Sequence, residues 1–98
     1  MLCDVPCSGD GTLRKSKDIW NKWRPGHALA LHEIQLRILV RGLQLLEVGG
    51  TLSYSTCSLN VIENESIVGA VLNAFGDALE VVDCSDMLPE VQRDAGLT

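Results

Sequence analysis

Two short clusters hold the residues able to do chemistry. In LCDVPCSGDGTLRK a short apolar run gives way to Asp4, Pro6 and Cys7, then to the turn formers Ser8, Gly9 and Gly11. Fifty residues later, YSTCSLN sets Cys57 between Thr56 and Ser58. A reactive cysteine has to be partly exposed, with surroundings that stabilise its thiolate. Cys57 sits where a strand hands over to a helix, whose first amides favour an anion. Cys7 follows proline in a turn, and Ser8 and Gly9 permit close approach of a ligand. Asp4, at the end of its strand, can accept or relay hydrogen bonds at the same rim. A carboxylate and two thiols around a crevice suit covalent catalysis with proton transfer. Spacing alone leaves Cys57 and Cys7 open between catalytic and incidental thiols, and Asp4 open as a turn cap. Cys3, inside the strand, reads as a core thiol and Cys84 as structural or incidental. Ser8, Ser55 and Ser58 lack a histidine placed as their base.

These residues need elements to position them. Leu2 to Val5 reads as a buried strand ended by Pro6. Residues 8 to 26 read as a long loop with a helical turn near Ile19 to Trp23. From His27 to Glu47, apolar residues such as Leu31, Ile34, Ile38 and Leu45 recur at helical spacing, and Gly49-Gly50 supplies a stop. Gly42 weakens that helix without ending it. Thr51 to Ser55 reads as a strand. Asn60 and Glu63 form a capping-box-like start to a helix that runs to about Phe75. Leu79 to Val82 reads as a third strand, and the tail beyond Asp86 shows little regular pattern. This alternation implies an α/β fold, with a mostly parallel sheet joined by right-handed crossovers and flanked by helices. In such sheets ligands sit outside the carboxyl ends of the strands, where both cysteine clusters fall. Cys7 and Cys57 can therefore meet.

Composition narrows the class. Ninety-eight residues make one small domain at most, 46% hydrophobic and 21% charged, as in soluble chains. No apolar run reaches the ~20 residues of a membrane span, and the start lacks a signal peptide, so an intracellular protein without a membrane partner is expected. Free thiols are then expected rather than disulfides. Without paired Cys-x-x-Cys spacing, and with His27 and His32 wrongly spaced for a shared ligand face, no metal is expected. GDGT lacks the lysine and spacing of a phosphate-binding loop. The net charge of −5 argues against autonomous, nonspecific nucleic-acid binding. Arg14, Lys15, Lys17, Lys22 and Arg24, interleaved with Trp20 and Trp23, nevertheless form a basic stretch. It reads equally as a polyanion-facing segment and as a solvated loop whose tryptophans pack on the core.

DVPCSGDGT followed by YSTCSLNVIENE resembles the Nop/Sun family of RNA (cytosine-5) methyltransferases, most closely its tRNA-modifying, Trm-four-like branch. RKSKDIWNKW and LHEIQLRILVRGLQLLEVGG fit that branch too, so the resemblance covers nearly the whole chain. It implies a Rossmann-like domain that takes S-adenosyl-L-methionine as cofactor and RNA, most closely tRNA, as partner, in the nucleus or nucleolus. Cys57 matches the cysteine that attacks carbon 6 of the target cytosine, which makes carbon 5 nucleophilic toward the methyl group. Cys7 matches the cysteine implicated in releasing the methylated product, and Asp4 the aspartate beside cofactor and base. An unactivated ring carbon needs such an adduct before methyl transfer is feasible, and the base must leave its stack.

Two departures accompany the match. Val61 stands where the family usually has proline, a cost to helix order rather than chemistry. The family's glycine-rich cofactor loop, ribose-binding acidic residue and base-proximal lysine precede the first motif, which here lies at the start of the sequence. The expectation is therefore the carboxyl-terminal half of a catalytic domain, residues 1–98 lacking the cofactor loop and final strand, silent and marginally stable alone. The competing reading is a noncatalytic relic that binds RNA or a protein. A thiol redox protein is disfavoured by the lack of Cys-x-x-Cys.

Overall fold

In the computed structural model the described residues are all except Leu13, Ser16, Leu88, Asp94, Ala95, Leu97 and Thr98. Strands β1 (Leu2–Asp4) and β2 (Ser53–Ser55) pair in parallel, with Leu2, Cys3 and Asp4 opposite Ser53, Tyr54 and Ser55. A parallel pair requires a crossover long enough to return the chain to the same end. Helices α1 (Asp18–Lys22) and α2 (Pro25–Leu45) lie on that crossover, and α3 (Glu65–Phe75) follows β2. The expected α/β class, parallel pairing and flanking helices are all present. The short α1 matches the helical turn expected inside the first long loop.

Helix α2 begins two residues before His27, because Pro25 sits in its first turn, where a missing N–H costs no intrahelical bond. It ends at Leu45, short of Glu47, as Leu46 turns extended. The residues it buries are Ala28, Gln35, Leu39 and Gly42. Two of the apolar residues expected to define its core face are instead turned out: Ile34 is 46% and Leu45 60% exposed. The buried face includes a polar amide, so hydropathy alone points to a neighbouring stripe.

Leu39 of α2 and Ile67 and Val71 of α3 form the buried centre, and Leu52, Tyr54, Phe75 and Leu79 pack around it. Cys3 is buried on β1, as a core thiol should be. The expected third strand at Leu79–Val82 is not formed. Leu79 has extended backbone, but its N–H closes a turn onto Gly76 O at 3.4 Å and its side chain packs on the core, while Val81 and Val82 are exposed. β-forming residues make a strand only with a ladder partner, and among the described residues no strand lies beside them. Of the tail expected to lack regular pattern, Leu88, Asp94, Ala95, Leu97 and Thr98 fall outside the described residues.

Gly42 lets α2 lie close on the sheet. A Cβ there would stand 3.0 Å from both Cys3 Sγ and Leu52 Cδ1, and 3.3 Å from Met1 Sδ. Alanine would gain helix propensity against that crowding, but a branched side chain has no room. Gly42→Val is expected to cost about 1–3 kcal/mol, the usual scale of overpacking. The expected observation is a lower urea midpoint with an unchanged slope.

Candidate active site

The strand ladder continues past β1 into the first cluster. Val5 N–H donates to Ser55 O at 3.1 Å, and the two loops then run side by side. Gly11 N–H donates to Cys57 O at 2.9 Å, and Leu59 N–H donates to the Asp10 carboxylate at 2.7 Å, so the carbonyl of Cys57 and the backbone that follows it are held. Gly11 permits this approach, since a Cβ there would lie 2.6 Å from Cys57 O. The result is a thiol pair: Cys7 Sγ and Cys57 Sγ are 3.1 Å apart, and all four cysteines are free. Cys57 is exposed and Cys7 half-buried. Asp4, opposite Ser55 in the ladder, is exposed at the same rim and accepts from Ser55 Oγ at 3.1 Å. The fold thus brings the three expected site residues to one end of the sheet. Cys84 is exposed elsewhere, its Sγ 3.6 Å from Val82 O.

Beneath the thiols lies a residue with a different job from the one its local sequence suggests. Asn60 does cap a turn: its side-chain oxygen accepts from Ile62 N–H at 2.9 Å and its carbonyl from Glu63 N–H at 3.1 Å. Glu63, however, does not reach back to complete a capping box, and α3 starts only at Glu65. Its side chain is fully buried. Glu63 Oε1 accepts from Ser8 N–H at 2.7 Å and Gln35 Nε2 at 3.1 Å. Oε2 accepts from Ser8 Oγ at 2.6 Å and Ser58 Oγ at 2.5 Å. Gln35 Nε2 also donates to Pro6 O at 2.8 Å, and Tyr54 Oη donates to Glu63 O at 2.6 Å. Asn64 ties the second loop, donating to Ser58 O at 2.9 Å and accepting from Thr56 Oγ1 at 2.7 Å. Sequence reasoning missed Glu63 and Gln35. The only trace of Gln35 is its place four residues before Leu39 on the buried stripe.

The exposed basic side chains Arg14, Lys15, Lys17, Lys22 and Arg24 surround α1. Trp23 is half-buried, with its indole N–H shielded from solvent. The readings that involve Leu13, Ser16 and the side chain of Trp20 lie outside the described residues.

Charge is distributed unevenly in this cluster. Burial opposes the charge on Glu63, but hydrogen bonds from Ser58, Ser8 and Gln35 outweigh it and hold the carboxyl below its ordinary value. Burial, the Glu63 charge and Cys7 push Tyr54 up to about 12. Burial also pushes the Cys7 thiol up, and its hydrogen bond with Cys57 adds to this, against opposing backbone N–H groups of Cys57 and Gly9. Because the Glu63 carboxyl is depressed in the fold, its stabilising contribution is complete above the ordinary glutamate value of about 4.3. It is lost as pH falls below that value toward the depressed one. Urea unfolding at a series of pH values should therefore show a loss of stability below about pH 4–5. Glu63→Gln should lower stability at pH 7 and flatten this acid limb.

Comparison with known proteins identifies the family. Over 97 residues the chain is 59% identical to a multisite-specific tRNA:(cytosine-C(5))-methyltransferase of Schizosaccharomyces pombe, covering 99% of this chain and 14% of that relative. It is 52% identical over 98 residues to the multisite-specific tRNA:(cytosine-C(5))-methyltransferase of Saccharomyces cerevisiae, covering 100% of this chain and 14% of the relative. A tRNA (cytosine(34)-C(5))-methyltransferase of Drosophila melanogaster is 54% identical over 98 residues, covering 100% and 13%. The chain thus spans about one-seventh of the length of these three relatives. A family model matches residues 1–92, and on that match the chain belongs to the family described as 16S rRNA methyltransferase RsmB/F.

Proposed function

We propose that this chain carries the catalytic thiols of an RNA (cytosine-5) methyltransferase that acts on tRNA, inside the cell and in its nucleus or nucleolus. The observation that carries the reading is the apposition of Cys7 and Cys57 sulfurs at 3.1 Å beyond the carboxyl ends of a parallel strand pair. The choice of tRNA rests on the three relatives, each named for tRNA, although the family description names ribosomal RNA.

Exposure divides the labour between the sulfurs. A base flipped in from solvent meets Cys57, the exposed member, first. Cys57 Sγ adds to carbon 6, forming an S–C bond and leaving electron density on carbon 5, which takes up a methyl group. S-adenosyl-L-methionine, when bound, supplies that methyl group from its sulfonium. The exposed Asp4 carboxylate at the end of β1 fits such a cationic, hydroxyl-bearing molecule and would provide one contact to it. Release then requires loss of the carbon 5 proton, re-formation of the ring double bond and departure of Cys57 as thiolate. Cys7 is the proton acceptor. Its thiol is held up by burial, by the hydrogen bond with Cys57 and by the charge Cys57 can carry. Once Cys57 is a neutral thioether the last two of these weaken, so Cys7 releases its own proton to solvent more readily and, as thiolate, can take the carbon 5 proton.

One observation favours a second reading: matched segments of only 13–14% of the relatives' length suit a noncatalytic piece that binds RNA or protein. We take residues 1–98 as part of a catalytic domain whose remaining cofactor contacts lie outside it. A single charge-assisted contact from Asp4 contributes about 1.5–3 kcal/mol at best, so residues 1–98 alone should neither retain labelled cofactor at millimolar concentration nor methylate tRNA.

Within the competent protein, Cys57→Ala should abolish both methyl transfer and covalent trapping on RNA containing 5-azacytosine. Trapping that survives the substitution refutes Cys57 as the nucleophile. Cys7→Ala should permit attack and stall release, so that a protein–RNA adduct accumulates on denaturing gels. Normal turnover without adduct would return Cys7 to a structural role, and methylation of ribosomal RNA in preference to tRNA would change the substrate.

A further inference from the structure

We propose that Glu63 is a positioning residue for the two thiols: by gripping Ser8 and Ser58, the residues that follow Cys7 and Cys57, it fixes how closely the two sulfurs approach. The inference rests on the reading of Cys7 and Cys57 as the working pair.

The connectivity is specific. Ser8 is bound twice, through its N–H and its hydroxyl, at 2.7 and 2.6 Å, and Ser58 through its hydroxyl at 2.5 Å. The other side of Cys7 is held by the same cluster, since Gln35 Nε2 bridges Glu63 and Pro6 O. Pro6 and Ser8 flank Cys7, so rotation of that turn would break bonds at both ends. Ser58 is fixed further: its hydroxyl accepts from Asn60 N–H at 3.0 Å and its carbonyl from Asn64. A carboxylate is the side chain that can do this, because its two oxygens accept four hydrogen bonds while needing no proton of their own. Gln would place an NH₂ group against hydroxyls that now donate. Glu63 is fully buried, and its carboxylate accepts from Ser8, Gln35 and Ser58. It acts through the backbone on either side of the thiols.

The test measures apposition without catalysis. Glutathione disulfide oxidises the two thiols to a Cys7–Cys57 disulfide and is itself reduced to two glutathione thiols. The equilibrium, read by mass mapping of the bridged peptides, gives the effective concentration of one thiol at the other. Glu63→Gln should lower it at least about ten-fold, the scale of one charge-assisted hydrogen bond. It should also lower kcat of the competent protein while leaving KM for RNA in place. Glu33→Gln removes the same charge from an exposed pair with Arg37 and should leave the value unchanged. Should Glu63→Gln fail to fold, Ser8→Ala removes one hydroxyl bond, keeps the N–H bond, and should lower the value about three-fold or more.

An unchanged effective concentration in the folded variant overturns the proposal, as does an equal fall in Glu33→Gln. A fall in effective concentration with undiminished kcat supports the clamp and overturns instead the assignment of the pair to the reaction.

Discussion

A buried carboxylate has to find hydrogen-bond donors within the protein, because desolvation of an ionised group is far more costly than loss of a surface contact. At Glu63 the donors are neutral and come from three separate stretches of chain: Ser8 beyond β1, Gln35 in α2 and Ser58 beyond β2. Satisfying one side chain therefore constrains all three. The asymmetry of hydrogen-bond energetics makes the constraint strong. Each bond adds only about 0.5–3 kcal/mol net, but an abandoned buried acceptor carries its whole desolvation penalty. The two loops could drift apart only by stranding the charge between them.

Much else in the fold serves that junction. Gly42 allows α2 to approach Cys3 and Leu52, and the same helix carries Gln35 two turns earlier to the carboxylate. Tyr54 points from β2 into the core and reaches Glu63 O, which anchors the backbone of the residue whose side chain does the bridging. Gly11 and Asp10 bind the Cys57 carbonyl and the backbone that follows it. Strand pairing, helix packing and loop contacts thus converge on one geometry. Such agreement between levels is what lets a short sequence specify a site.

The parts of this arrangement that were legible in the sequence are those set by local chemistry. Pro6 and Gly9 end β1, Gly49 and Gly50 lie past the end of α2, and β-forming residues at Thr51–Ser55 contain β2. Order and parallel pairing follow from those signals, and so does the meeting of Cys7 with Cys57. Three features were not legible, for one reason: each depends on a distant partner. Leu79–Val82 has strand composition but, among the described residues, no neighbouring ladder. Gln35 occupies a core position on α2 while Ile34 and Leu45 face out: its Nε2 reaches the acceptors Glu63 and Pro6 O, although its Oε1 is buried without a hydrogen-bond partner among the described residues. Glu63 sits three residues after Asn60 and so satisfies a capping pattern. Four donors inside the protein outcompete one backbone N–H at a helix start.

The environment also explains how two chemically identical thiols can be given different tasks. Cys57 faces solvent, and its carbonyl and the following backbone are fixed by Gly11 and Asp10. Cys7 is half-buried between Pro6 and Ser8, both tied to a cluster that already contains one negative charge. Burial first, and then the Glu63 charge, raise the neighbouring Tyr54 phenol to about 12. At Cys7 burial is the main cause of the upward push on the thiol, and the hydrogen bond with Cys57 adds to it. At rest, then, burial favours the protonated form of the inner sulfur, which lies 3.1 Å from the outer one. Under the proposed chemistry this supports the outer sulfur as attacking group and reserves the inner one for the step after the outer has lost its charge to a covalent bond. Under that proposal the order of events follows from depth below the surface, with Cys57 exposed and Cys7 half-buried beside loops that the Glu63 carboxylate ties together.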